Sequence, residues 1–352
     1  MDYSLDYDRM TATIKDVARR SGYSVSAVSQ VLNNMAGARL SDTARGKIAK
    51  CAARLAYRPH PVALALKRRH GFAVSLILPD LSNPTFLNIA AGAQETLAAQ
   101  GYEALIQHYG RDPEREMALL KQAVERRVEG VIILAMHEAK YYGQYACRLP
   151  LVCLSGLRHG AKDPRLDSVA FDLADGFCKA TEYLIELGHT RIGLLNRRFD
   201  RLLISRRREG YIKALREHRI KLETDRIWEI DGFGAEAGHA FGRDHPEFMK
   251  GLTAILVYND IMAIGLMKAL REAGIKVPED ISIVGCDGIE WGLYSDPPLT
   301  TVCLPTWETG RAAAQMVLRR INGEGNEKTG RNIVLPAQLL VRKSSGNCKK
   351  TP

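Results

Sequence analysis

The residues best suited to reading another molecule by its hydrogen-bonding edge lie close together: Ser24, Ser26, Ser29 and Gln30, with Val25 among them. Hydroxyls and a carboxamide offer donors and acceptors without a fixed charge. On a helix in the major groove of DNA, a glutamine pairs with adenine, a serine bonds bases or phosphates, and a valine meets a thymine methyl. The surrounding charge favours that chemistry. From Thr13 to Arg69 there are twelve Lys or Arg against two Asp or Glu, while the rest of the chain nearly cancels within a total of +10. Positive charge confined to one short segment is the footprint of a polyanion partner.

Positioning those side chains takes two short helices on a tight turn. Thr13 caps the first, with Asp16 three residues on in the capping-box position. Ile14, Val17 and Ala18 give it one apolar stripe, and Gly22 supplies the left-handed residue that ends it. Ser24 caps the second helix, whose Val28, Val31 and Leu32 face inward, leaving Val25, Ser26, Ser29 and Gln30 opposite. Ser41 opens a third helix, where Ile48, Cys51, Ala52 and Leu55 close a small core. Gly46 weakens that helix by about 1 kcal/mol relative to alanine. The spacing is that of a helix-turn-helix unit, whose second helix enters the groove. Beyond it, Pro61 suits the first turn of a helix over 62–66, too short to persist alone in water. Lys67, Arg68 and Arg69 follow it and suit phosphates.

From Gly71 onward, β-rich runs alternate with helical patterns. Strands are expected at 72–79, 102–108, 131–135 and 151–154, with helices at 85–100 and 113–127. The pattern then restarts, with helices at 181–187, 208–218 and 261–273 and strands from 189 and at 226–230, 253–258 and 281–286. Such alternation gives a parallel sheet wrapped by helices, here twice over. Two α/β lobes imply a cleft, and ligands bind beyond the carboxyl ends of such strands. Those ends carry polar residues: Pro79-Asp80, Asn196-Arg197, Asn259-Asp260 and Cys286-Asp287-Gly288.

Composition narrows the function. A chain of 352 residues, 46% hydrophobic, holds two or three globular units. The acidic start lacks the basic and apolar stretches of a signal peptide, and the strongest apolar run, near 131–136, is only strand-sized. Seven cysteines, an odd number without a Cys-x-x-Cys pair, suit free thiols in a reducing compartment better than structural zinc. A cytoplasmic protein without a membrane partner is the expectation. There is no phosphate loop, no Gly-x-Ser-x-Gly elbow and no His-Glu-x-x-His, and no carboxylate pair stands out. The expectation is therefore a binding protein, not an enzyme, with no metal and no cofactor.

Several runs together resemble the LacI/GalR family of bacterial transcription regulators over about residues 12–345. They are Thr13-Ile14-Lys15-Asp16-Val17-Ala18, Ser24-Val25-Ser26-Ala27-Val28-Ser29, Val31-Leu32-Asn33, Leu55-Ala56-Tyr57-Arg58-Pro59 and the hinge Pro61–Lys67, with Leu187–Gly193 and Asn259–Ala263 in the body. The resemblance implies a three-helix DNA-binding headpiece (12–58), a hinge helix (59–69), a periplasmic-binding-protein-like core (70–346) and a tail (347–352). Lobe 1 would span about 70–172 and 303–332, and lobe 2 about 173–302 and 333–346. Crossings between them would fall near Asp172, Thr301–Cys303 and Asn332–Leu335.

The resemblance also implies roles. DNA contacts would come from Thr13, Ser24, Val25, Ser26, Ser29, Gln30, Asn33, Tyr57, Arg58 and Lys67, with Leu66 wedged into the minor groove. A small-molecule effector, a sugar or sugar derivative, would meet Asn83, Phe86, Ser155, Arg207, Phe233, Asn259 and Asp287. The whole would be a repressor binding a palindromic operator as a homodimer. Ser155 stands where many relatives carry an acidic residue, and Gly288 follows Asp287 where a second polar side chain is usual. With Arg206-Arg207-Arg208 nearby, these departures point toward a more anionic effector than a neutral sugar. The alternative is a solute-binding or sugar-processing protein with an accessory basic helical domain.

Overall fold

The computed structural model describes residues 12–32, 40–55, 57, 72–137, 139–154, 166–198, 201–245, 251–324 and 329–349. They fall into two compact units, one up to Gly71 and one from Phe72.

The first unit holds α1 (Ile14–Ser21), α2 (Val25–Leu32) and α3 (Asp42–Arg54). The Asp16 carboxylate accepts hydrogen bonds from the Thr13 amide and hydroxyl at 2.9 and 2.6 Å, which fixes the start of α1. Gly22 ends it with φ 77°, in the left-handed region. The Ser24 hydroxyl accepts from the Ala27 amide at 3.2 Å, and that of Ser41 from Ala44 at 3.3 Å, so each later helix has its cap. Val17, Ala18, Val28, Ile48 and Ala52 form the core, with Ile14, Val31, Leu32, Cys51 and Leu55 packed around it. Ser29 departs from expectation. It is only 3% exposed, not on the open face. Both other helices pack on the eight-residue α2, so its buried sector is wider than the Val28–Val31–Leu32 stripe and takes in the next position.

The second unit has two lobes. The first begins β1 (Ala73–Leu78), α4 (Pro84–Ala98), β2 (Glu103–His108), α5 (Pro113–Glu125), β3 (Gly130–Leu134), α6 (Ala139–Ala146), β4 (Leu151–Leu154) and β5 (Asp167–Phe171). The second runs α7 (Leu173–Glu186), β6 (Ile192–Arg197), α8 (Arg201–Glu217), β7 (Ile227–Ile230), α9 (Ala235–Asp244), β8 (Ala254–Val257), α10 (Asp260–Glu272), β9 (Ser282–Asp287) and β10 (Thr300–Cys303). The chain then returns to lobe 1 as α11 (Thr306–Ile321) and β11 (Asn332–Leu335), and ends in lobe 2 with β12 (Gln338–Leu340). The sheets have orders β11-β5-β4-β3-β1-β2 and β12-β10-β9-β8-β6-β7. All pairings are parallel except β10 with β12.

The third crossing lies later than expected. Asn332–Leu335 pair in parallel with Ser168–Phe171, and Ile333 and Leu335 pack on the lobe 1 core, so residues 333–335 belong to lobe 1. The chain changes lobes at Pro336-Ala337. His189 is structural: nearly buried after Gly188, its Nε2 lies 2.9 Å from the Gly346 carbonyl.

The sequence patterns above leave out α9 and α11, and the reason is physical. These helices meet their partners through glycine where large apolar residues would give a clearer period. A Cβ on Gly310 of α11 would stand 1.9 Å from the Ile89 carbonyl oxygen of α4, and one on Gly92 of α4 would stand 2.1 Å from that of Trp307. Gly310→Ala gains helix propensity yet forces these helices apart. A net loss of about 1–3 kcal/mol in urea unfolding is expected, and an unchanged midpoint would contradict the close approach.

Candidate functional site

In the first unit Ser24, Val25 and Ser26 are exposed at the start of α2, and Gln30 is half-buried one turn on. Thr13 is exposed at the start of α1. No acidic residue occurs in α2, and exposed Lys15, Arg19 and Arg20 on α1 and Lys47, Lys50 and Arg54 on α3 surround it with positive charge. Tyr57 is half-buried against the three-helix core, and its amide donates to the Ala52 carbonyl at 2.9 Å. The structure thus leaves Ser26 and Gln30, but not Ser29, on an open face. Asn33, Arg58, Leu66 and Lys67, with the hinge 59–69, lie outside the described residues.

In the second unit, the carboxyl ends of the strands bring most of the proposed ligand contacts together. Asn83 caps α4, its side-chain oxygen accepting from the Thr85 amide at 3.0 Å. Its Nδ2 donates across the lobes to Asp287 Oδ2 at 3.0 Å. Asp287 ends β9 with φ 124°, a left-handed value uncommon outside glycine, so its placement stores backbone strain. Burial pushes its carboxyl above the ordinary range, while the Asn83 amide and the Arg207 guanidinium pull the other way.

Arg207 is 3% exposed. Its guanidinium lies 4.3 Å from the ring centre of Tyr258 and 5.6 Å from that of Phe177. Arg208 is exposed and Arg206 pairs with Glu209 at 3.2 Å, so one arginine of the three turns inward. Asn259 is held at both polar atoms: its oxygen caps α10 through the Met262 amide at 2.8 Å, and its Nδ2 donates one hydrogen bond to the Phe233 carbonyl at 3.0 Å. It therefore positions the loop that carries Phe233. Phe86 packs on the lobe 1 core. Ser155 lies outside the described residues.

Two contributors were missed in the sequence. Arg111, after β2, holds Asp80 in an ion pair at 2.6 Å and lays its guanidinium 3.5 Å from the centre of the Phe233 ring in the other lobe. Its φ of 62° again marks a strained turn, and Gly110-Arg111 at a strand end was the available signal. Asp260, named in the sequence only as a polar strand end and given no role, is the second. Its carboxylate accepts from the Gly288 and Ile289 amides at 2.8 and 2.9 Å and from the Thr301 hydroxyl at 2.6 Å, which shapes the turn after Asp287. Asn83 with Asp287 and Arg111 with Phe233 thus hold the lobes together by one hydrogen bond and one cation–aromatic contact, each worth on the order of 1–3 kcal/mol.

Residues 13–60 match the family described as bacterial regulatory proteins, lacI family, and residues 181–345 match the periplasmic binding protein-like domain. The HTH-type transcriptional repressor PurR of Vibrio parahaemolyticus is 30% identical over 335 residues, covering 94% of this chain and 98% of that protein. The lac repressor dimer bound to operator and the anti-inducer ONPF superposes with a TM-score of 0.85 at 26% identity, over 95% of this chain and 99% of that one. A complex of the transcriptional regulator CelR with cellobiose gives 0.71 at 26% identity, with the same coverage.

The Asp260 carboxyl carries a pH signature. Burial first, and the nearby Asp287 second, raise its pKa to about 7 from an ordinary 3.8. The folded chain therefore binds the proton more tightly than the unfolded chain, and this group's stability contribution falls as pH rises from about 4 to 7. Asp260→Asn keeps a matching set of hydrogen bonds and removes the titration. Relative to this variant, the wild type should lose on the order of 2–4 kcal/mol between pH 5 and 8 in denaturant unfolding. Parallel pH profiles for the two would contradict the assignment.

Proposed function

The chain belongs to the lacI family of bacterial regulatory proteins, and from that membership we propose that it is a ligand-controlled transcriptional repressor acting on operator DNA. The observation that carries this reading is a cation-ringed helix-turn-helix unit in one chain with a two-lobed body joined across its cleft by few polar contacts. The headpiece (12–58) reads a half-site through Ser26, Gln30 and Val25, while Arg58 and Lys67 hold phosphates. The hinge (59–69) folds on DNA and inserts Leu66 into the minor groove, where unstacking a base step costs a few kcal/mol offset by contacts around the bend.

Two copies related by a two-fold axis place two headpieces on a palindromic site. The exposed Trp291, Leu293 and Tyr294 of lobe 2 offer an apolar surface for such pairing. A carbohydrate or carbohydrate derivative in the cleft, touching Asn83, Phe86, Ser155, Arg207, Phe233, Asn259 and Asp287, changes the angle between the lobes. That change makes the paired hinges pack or separate. A coupling of about 1–3 kcal/mol shifts operator affinity roughly 5- to 150-fold. The ligand is an effector and no cofactor takes part. Among the described residues no helix is long and apolar enough to cross a membrane, which suits action in the cytoplasm.

Selection of bound duplexes from a random pool tests the reading directly: a palindromic consensus is expected, and no enrichment would refute it. Within that consensus, Gln30→Ala should relax preference at one position per half-site, while Lys67→Ala should weaken all duplexes alike. Affinity should fall about 10³–10⁵-fold between 50 and 200 mM salt if roughly 6–10 phosphates are neutralised.

A further inference from the structure

Two adjacent side chains at the carboxyl end of β6 take part in none of the interlobe contacts above. Asn196 is fully buried, and neither its nitrogen nor its oxygen has a hydrogen-bond partner. Arg197 is 9% exposed, its Nε has no partner either, and no carboxylate pairs with it among the described residues. Its guanidinium lies 5.6 Å from the centre of the Phe233 ring, the ring that Arg111 approaches from the other lobe. Arg111 is neutralised by Asp80, whereas Arg197 has no such counter-charge among the described residues.

A cation from each lobe therefore converges on one aromatic ring, and one of the two is uncompensated among the described residues. Buried polar groups are ordinarily satisfied, and a buried charge is ordinarily paired. A neutral hydroxylated ligand would satisfy Asn196 yet leave Arg197 without a counter-charge. An oxyanion serves Arg197 and half of Asn196: it accepts from the guanidinium fork and from the carboxamide nitrogen, while a hydroxyl of the same ligand donates to the carboxamide oxygen. Consecutive strand residues leave opposite faces of a sheet, so at its carboxyl edge these two side chains flank an approaching group from either side.

We propose that the cleft recognises an anionic metabolite, whose phosphate or carboxylate group docks at Asn196 and Arg197 and faces Arg111 across the lobes. This rests on the reading of the cleft as the effector site and narrows its ligand class. An anion there also supplies the counter-charge that Arg197 lacks at the seam between the lobes and favours their closure.

Calorimetric titration of the full chain with D-ribose against D-ribose 5-phosphate, and D-glucose against D-glucose 6-phosphate and D-gluconate, tests this. Thermal melts in inorganic phosphate at fixed ionic strength accompany it. At least one anion should bind about tenfold or more tightly than its neutral parent. Phosphate should raise the melting temperature. Arg197→Met should abolish both effects, Arg197→Lys should restore part of them, and Asn196→Asp should weaken anion binding by adding a like charge. Equal or tighter binding of the neutral parents overturns the proposal. So does an anion effect that survives Arg197→Met, or the absence of any anion-dependent stabilisation of the wild type. Duplex selection by the ligand-free wild type separates the two readings. A chain that selects an operator without arginine-dependent anion binding keeps the repressor role and loses the anion site. A chain that binds anions but selects no sequence does the reverse.

Discussion

The hydrogen bond from Asn83 to Asp287 spans the cleft between a helix cap of one lobe and a strained strand end of the other. Much of the site depends on it. Asp287 is buried with its carboxyl raised toward the neutral form, and the turn behind it is drawn tight by Asp260. Gly285 lets this happen: a Cβ there would stand 2.2 Å from Asp260 Oδ1. The carboxylate that reaches across the cleft is thus held by backbone geometry that its own lobe fixes rigidly. An interlobe hydrogen bond on rigid supports makes a suitable two-state element, because rotation of the lobes breaks it instead of stretching it.

Arg111 and Phe233 form the second tie, with a different character. A guanidinium over a ring tolerates sliding, so this contact guides closure without fixing its angle. Its ion pair with Asp80 keeps the arginine poised from the lobe 1 side. Ligand binding, in this view, exchanges a few interlobe contacts for ligand contacts, and a difference of only a few kcal/mol is needed to shift the balance.

Much of this was legible in the sequence. Charge confined to 13–69, the Thr13-Asp16 cap and Gly22 gave the headpiece helices, and alternation gave the two parallel sheets. Ser29 was misplaced because a stripe of large apolar residues underestimates how much of a short helix two neighbours cover. α9 and α11 were passed over because close glycine contacts replace the large residues that make a helical period visible. Arg111 was missed because a strand-end arginine resembles any solvated turn until the opposite lobe is in place. Asn259 has a structural duty that spacing does not encode: it caps α10 and holds the Phe233 carbonyl beside its proposed place at the ligand.

Coupling between the interlobe bond and DNA recognition is the central claim, and Asn83→Asp tests it most directly. The aspartate keeps the cap of α4 but sets a second carboxylate against Asp287, opposing contact between the lobes without touching the headpiece. Fluorescence anisotropy should then give an affinity for the selected operator displaced about 5- to 150-fold from wild type, with affinity for random duplex unchanged. Equal operator affinity in the two proteins, both folded, would contradict the claim.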